Sequence, residues 1–104
     1  MLTYPYALEL AETWVRLMTN DSAVVTKEKT LKRPYGWVFF YQGRAYLASG
    51  DRREMLLGTA PIIIDRVSGN IQVTGTGEAI ETYLSRYEMT IPKARLRLDS
   101  PKEP

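Results

Sequence analysis

Between Gly36 and Thr76 the chain alternates β-prone runs with a glycine at almost every point where it must turn, and this alternation leaves few folds open. Two apolar runs, Trp37 to Tyr41 and Ile62 to Ile64, are punctuated by Gly43, Gly50, Gly58, Gly69 and Gly75. Gly and Asp at such points supply positive φ angles and local side-chain hydrogen bonds that other residues supply only at a cost. Short strands joined by tight turns are the expected result. The stretch carries no evident reaction chemistry, so it reads as a scaffold that holds a shape for binding.

Composition narrows the function further. At 104 residues the chain is expected to form one domain, large enough to bury about 65% of the surface of its unfolded state. It contains no cysteine and no histidine. A disulfide framework, a thiolate nucleophile and a Cys-based zinc site are thereby excluded, along with the commonest general base and metal ligand. Nothing approaches about 18 consecutive apolar residues, and MLTYPYALEL lacks the pattern of a secretory leader. The expectation is a cytoplasmic protein that uses no cofactor or metal and has no membrane or nucleic-acid partner.

The net charge of +2 is uneven. Residues 93–104 hold four Lys/Arg against Asp99 and Glu103, which leaves 10 basic and 10 acidic residues (14 less 4, 12 less 2) in the body. We read residues 1–91 as the domain and residues 92–104 as a basic, flexible tail. Four cations without interleaved aromatics do not make a nucleic-acid arm.

The periodicity predicts a helix of about 15 residues near the N-terminus, with Thr3 as its cap and Pro5 in its first turn. Ala7, Leu10, Ala11, Trp14, Leu17 and Met18 would form its apolar stripe. Strands are predicted over 23–29, 35–42, 61–65 and 71–74, with a short extended piece over 45–48 and a helical turn near 53–57. Val67 to Asn70 reads as a hairpin turn. Thr76 would cap a last helix over 78–88 with Ile80, Tyr83, Leu84 and Tyr87 on one stripe. The predicted fold class is α+β: a two-layer sandwich, with a small antiparallel sheet of four to five strands and both helices on one face.

Few residues are placed to do chemistry. Asp51 follows Ser49-Gly50 and Asp65 precedes a hairpin, which is where aspartates serve as turn residues rather than as a glycosidase-like pair. The Gly75-Thr76-Gly77-Glu78 segment lacks both the Lys-Ser/Thr of a phosphate loop and the spacing of a dinucleotide fingerprint. The chain is not expected to be an enzyme. Interaction chemistry is better supplied by seven Tyr, two Trp and two Phe, since Tyr, Trp and Arg dominate binding hot spots. The candidate partner contacts are Tyr35, Tyr41, Tyr46, Asp51, Arg52 and Arg53.

Several short patterns, in order, resemble one family. They are Gly36-Trp37-x-Phe39, Tyr46-Leu47-x-x-Gly50-Asp51, Leu57-Gly58-x-x-Pro61 and Asp65-x-x-Ser68-Gly69-x-Ile71, followed by Gly75-Thr76, Glu81-x-Tyr83 and Tyr87-Glu88. The resemblance is to the YrhB-like family, the immunity protein 35 family of bacterial polymorphic toxin systems, over roughly the first ninety residues. Its members often carry Pro near the start of the last helix, where this chain has Ala79. The resemblance implies a small α+β protein without catalytic residues, encoded beside a secreted toxin that it neutralises by stoichiometric binding. The alternative is a chaperone-like protein holding unfolded clients on an apolar surface. The shared residues are mainly turn glycines, turn aspartates and core aromatics, so they describe the scaffold and leave the toxin-binding surface unplaced.

Overall fold

In the computed structural model, which describes residues 1–102, the fold is organised around two strands that are buried on both faces. β3 (Gly36–Phe39) and β5 (Ile62–Asp65) run antiparallel, with Trp37 opposite Ile64 and Val38 opposite Ile63. Side chains alternate along a strand, so this register puts Trp37, Phe39, Ile62 and Ile64 on one face and Val38 and Ile63 on the other. β2 (Leu31–Arg33) pairs with the outer side of β3, and β6 (Ile71–Val73) with the outer side of β5, giving the order β2-β3-β5-β6.

Each face has its own helix. α1 (Tyr4–Met18) packs Ala7, Ala11 and Val15 against Trp37, Phe39, Ile62 and Ile64. α3 (Ile80–Glu88) packs Leu84, with Ile80 and Tyr87, against Tyr35, Val38 and Ile63. The α+β class, the antiparallel pairing and the two helices agree with expectation. Their placement on one face does not. A strand pair apolar at both parities has two faces to remove from water, and one layer of helix can cover only one of them.

The strands also divide differently. β1 (Ala23–Val25) pairs with β4 (Tyr41–Gly43) in a separate two-stranded sheet, so six strands form two sheets rather than four or five forming one. The apolar run expected as one strand over 35–42 breaks at Phe40, whose carbonyl accepts from the Thr26 amide at 2.8 Å. The chain then passes from the larger sheet into the smaller one. The strand expected over 23–29 stops at Val25 and continues as a 3-10 turn, Lys27–Lys29. The piece expected as extended over 45–48 lies inside a helix, α2 (Arg44–Ser49), closed by Gly50 at φ 71°.

Two helix details also differ. In α1 the buried stripe is Ala7, Ala11 and Val15, while Leu17 and Met18 are 65% and 66% exposed. Thr3 holds the cap position without a side-chain cap bond. Thr76 does not cap α3; instead the Tyr83 hydroxyl accepts from the Gly77 and Glu78 amides at 3.1 and 3.2 Å. A tyrosine from within the helix thus satisfies the chain that approaches it.

Residues 92–102, part of the segment expected to be a loose tail, contain a helical turn, α4 (Lys93–Leu96). Leu96 packs on the α3-side core, and the Arg66 guanidinium donates to the Asp99 carbonyl at 2.5 Å. The last two residues of that segment, 103 and 104, lie outside the described residues.

Gly36 is the tightest point of the fold. Its φ is +148°, and a Cβ there would stand 2.0 Å from the Ile64 carbonyl oxygen. Gly36→Ala should destabilise by about 4 kcal/mol, combining overpacking with backbone strain. At Gly50, also left-handed, nothing lies within 4 Å of an added Cβ. Gly50→Ala should therefore cost only the backbone term of about 1–2 kcal/mol. Urea unfolding of the two variants tests this ordering.

Candidate functional site

The sequence candidates fall into two groups, one on the surface and one inside. Tyr46, Asp51, Arg52 and Arg53 lie together on α2 and the 3-10 turn that follows it, Arg52–Glu54. Asp51 caps that turn by accepting from the Arg53 amide at 2.9 Å, and its carboxylate also holds the Arg53 guanidinium at 2.8 Å. The hydrogen bonds from the Arg53 side chain and amide keep the Asp51 carboxyl below its ordinary pKa. Ser49 joins the two ends of the loop, its hydroxyl accepting from the Asp51 amide and donating to Glu54 at 2.9 Å. Arg52 and Arg53 are exposed and Tyr46 is half-buried. Asp51 therefore shapes the loop that presents these residues.

Tyr35 and Tyr41 are corrected from surface contacts to core. Tyr35 is wholly buried under α3, where its hydroxyl donates to Glu88 at 3.0 Å and its ring lies 5.1 Å from that of Tyr87. Tyr41 is 9% exposed and meets Trp14 edge-on at 5.9 Å. Both sit next to turns in sequence, which is why they looked accessible. α3 and α1 cover them, and that packing is set by residues far away in the chain.

A polar cluster inside the molecule involves Asp65, which sequence reasoning read only as a turn residue. Asp65 does serve its turn, accepting from the Val67 and Ser68 amides at 2.8 and 3.0 Å. The same carboxylate, 1% exposed, accepts from the Tyr87 hydroxyl at 2.6 Å and the Arg95 guanidinium at 2.5 Å. It thereby joins the hairpin, α3 and α4. Burial alone would raise the Asp65 carboxyl, but the bonds from Tyr87, the two amides and Arg95 outweigh it and hold the pKa below the usual range. Burial, then the bond to Asp65, pushes the Tyr87 hydroxyl well above its ordinary value. The four hydrogen bonds that the Asp65 carboxylate accepts come from its own turn, α3 and α4. No signal in the sequence pairs Asp65 with residues 22 and 30 positions away.

Two partly apolar grooves flank β6. On the α1 side a groove of about 500 Å³ is lined by Trp14, Met18, Tyr41, Leu56, Leu57 and Val73 among others. Leu57 is 91% exposed and Val73 43%. On the α3 side a second groove of about 360 Å³ runs past Gln72, Val73, Tyr83 and Arg86. Among the described residues no group of three or more His, Cys, Asp or Glu could hold a metal ion, and no helix is long and apolar enough to cross a membrane.

The structure is thus a small α+β domain with a grooved, partly apolar surface beside β6. The sequence profile of the immunity protein 35 family matches residues 6–90, and the chain belongs to that family. It is also similar to uncharacterized protein YrhB of Escherichia coli (strain K12), at 44% identity over 54 residues. That alignment spans 52% of this chain and 57% of YrhB, so the match covers little more than half of either protein. No solved structure matches.

Replacing the central carboxylate gives a direct test of the Asp65 cluster. Asp65→Asn leaves Arg95 without its buried partner and should destabilise by about 3 kcal/mol. Because the folded-state pKa of Asp65 is depressed, its stabilisation is fully present above the unfolded-state pKa and is lost as pH falls through the folded value. Wild-type stability should therefore decline on acidification more steeply than that of Asp65→Asn. Urea unfolding between pH 7 and pH 3 measures both effects.

Proposed function

We propose that this protein neutralises a cognate bacterial toxin by binding it stoichiometrically and covering its active site or substrate path. Membership of the immunity protein 35 family over residues 6–90 carries the reading. The physical features agree with it. The ionisable groups with the strongest environment, Asp65, Tyr87 and Tyr35, are committed to internal hydrogen bonds, which leaves them occupied with folding. Arg52, Arg53 and Leu57 stand exposed on a loop braced by Asp51, Ser49 and Gly50. A rigid loop that offers arginine, tyrosine and leucine loses little entropy on docking.

An interface of on the order of 1,600 Å² in total would suffice for a tight complex. The body of the chain is charge-balanced, without the net acidity of many nuclease inhibitors that imitate phosphate. This favours a toxin that acts on something other than nucleic acid.

Co-expression with the toxin domain encoded beside it tests the function. Growth should be restored and a 1:1 complex should elute on size-exclusion chromatography with light scattering; unrelieved toxicity would overturn the reading. Within such a complex, the triple substitution of Tyr46, Arg52 and Arg53 by Ala should weaken affinity about tenfold or more while leaving the unfolding midpoint in place. Unchanged affinity would remove this loop from the interface.

A further inference from the structure

The two edges of the four-stranded sheet are built differently. β2 carries Lys32 and Arg33, is preceded by Lys27, Glu28 and Lys29, and is followed by Pro34. Charges and proline of this kind are how proteins keep an edge strand from pairing with other chains. β6 has no such protection. No residue from Val67 to Gly77 is charged or proline, in a chain that is 25% charged.

The backbone of β6 is open on its outer side. Thr74 donates to the Pro61 carbonyl and Asp65 to the Asn70 carbonyl, which fixes the hydrogen-bonded pairs of the β5–β6 ladder. By alternation Gln72 faces β5, and the N–H and C=O groups of Ile71 and Val73 point outward. Among the described residues, the one hydrogen bond to this outward set is from the Gln72 side-chain amide to the Val73 carbonyl, at 3.3 Å. The two grooves described above flank this edge on opposite faces of the sheet, and Val73 lines both.

We propose that β6 is the docking strand for the toxin, which adds an extended segment of its own to the open edge. The proposal rests on the toxin-binding reading and places the contact within it. Outward N–H and C=O groups at alternate residues are complemented by another extended backbone. Grooves on both faces then receive alternate side chains of the added strand. On the α1 side the walls are Trp14, Met18, Leu57 and Val73, which suit large apolar residues. On the α3 side the one charged wall residue is Arg86, ion-paired with Glu78 at 2.8 Å and lying over the Tyr83 ring; beside Gln72, Thr74 and Thr90 it suits polar residues, or acidic ones that take the place of Glu78. The docked segment therefore alternates apolar with acidic or polar side chains. A second copy of this chain fits less well. β6 is three residues long, and an edge-to-edge pair that short falls far below the roughly 800 Å² per partner of a stable interface. A toxin segment lying along both grooves reaches further, and the α1-side groove continues into Leu56 and Leu57 of the exposed loop.

The test uses the isotope-labelled full chain and a blocked heptapeptide alternating leucine with glutamate. Titration to millimolar peptide should shift the amides of Ile71 and Val73, together with residues of both grooves. Methylating the backbone nitrogens of one alternate set of peptide residues should weaken binding about tenfold, while methylating the other set should not. The leucine set is the sensitive one for an antiparallel partner and the glutamate set for a parallel one. Absence of shifts at β6, or equal sensitivity of both sets, would overturn the proposal. So would concentration-dependent dimerisation of the free chain through β6, seen by sedimentation. In the co-expression assay, Val73→Pro removes an outward donor without touching the β5 ladder. It should lose protection while keeping the wild-type amide spectrum away from β6; retained protection would overturn strand docking and leave the toxin-inhibitor function standing. Strand pairing by the peptide without any protection by the wild-type chain would instead sink the functional reading.

Discussion

The fold depends on the burial of one strand pair from both sides. β3 and β5 contribute Trp37, Phe39, Ile62 and Ile64 to one core and Val38 and Ile63 to the other. α3 is not held by its own sequence, since its nine residues fall below the length at which isolated helices persist in water. What holds each helix is the apolar sheet face beneath it. Gly36 makes the arrangement possible, because the backbones of β3 and β5 meet there with no room for a side chain.

The second core is closed by polar chemistry as well as by area. Asp65 sits at the end of β5, turns the chain into the hairpin, and then receives Tyr87 from α3 and Arg95 from α4. A carboxylate can be 1% exposed only where several donors replace the lost water. Its desolvation is offset by contacts that also specify where the last two helices lie. The C-terminal segment, read from its charges as solvated, is thereby drawn onto the body. Arg95 is counted among the tail's cations and in fact neutralises a buried anion.

Two exposed features stand apart from these commitments, a loop and a strand edge. The loop after α2 is braced by its own short-range bonds and offers arginine and leucine to solvent. The outer edge of β6 lies between two grooves. The exposed apolar residues Met18, Leu57 and Val73 gather beside that edge, where a bound partner would remove them from water. The buried interior and the open surface divide the labour: one keeps the shape, and the other remains available for recognition.

Much of this was legible in the residues alone. The antiparallel pairing, the hairpin at Val67 to Asn70, the 3-10 turn near Arg53 and the two amphipathic helices follow from turn chemistry and local periodicity, which act over a few residues. The exposed Arg52 and Arg53 followed from a polar, glycine-marked loop. Other features depended on partners distant in the chain. Trp37 to Tyr41 read as one strand, and only the competing pairing of β1 with β4 breaks it at Phe40. Val15, and not Leu17, became core because the face that α1 turns to the sheet decides which stripe is covered. Tyr35, Tyr41 and Asp65 have the same local setting as many surface residues, and the helices packed over them are what bury them. Local sequence determined the kinds of element and where they turn, because those preferences are backbone and short-range properties. Tertiary structure decided which face each helix took, which tyrosines were inside and which edge stayed open, because those outcomes belong to surfaces made only when the whole chain comes together.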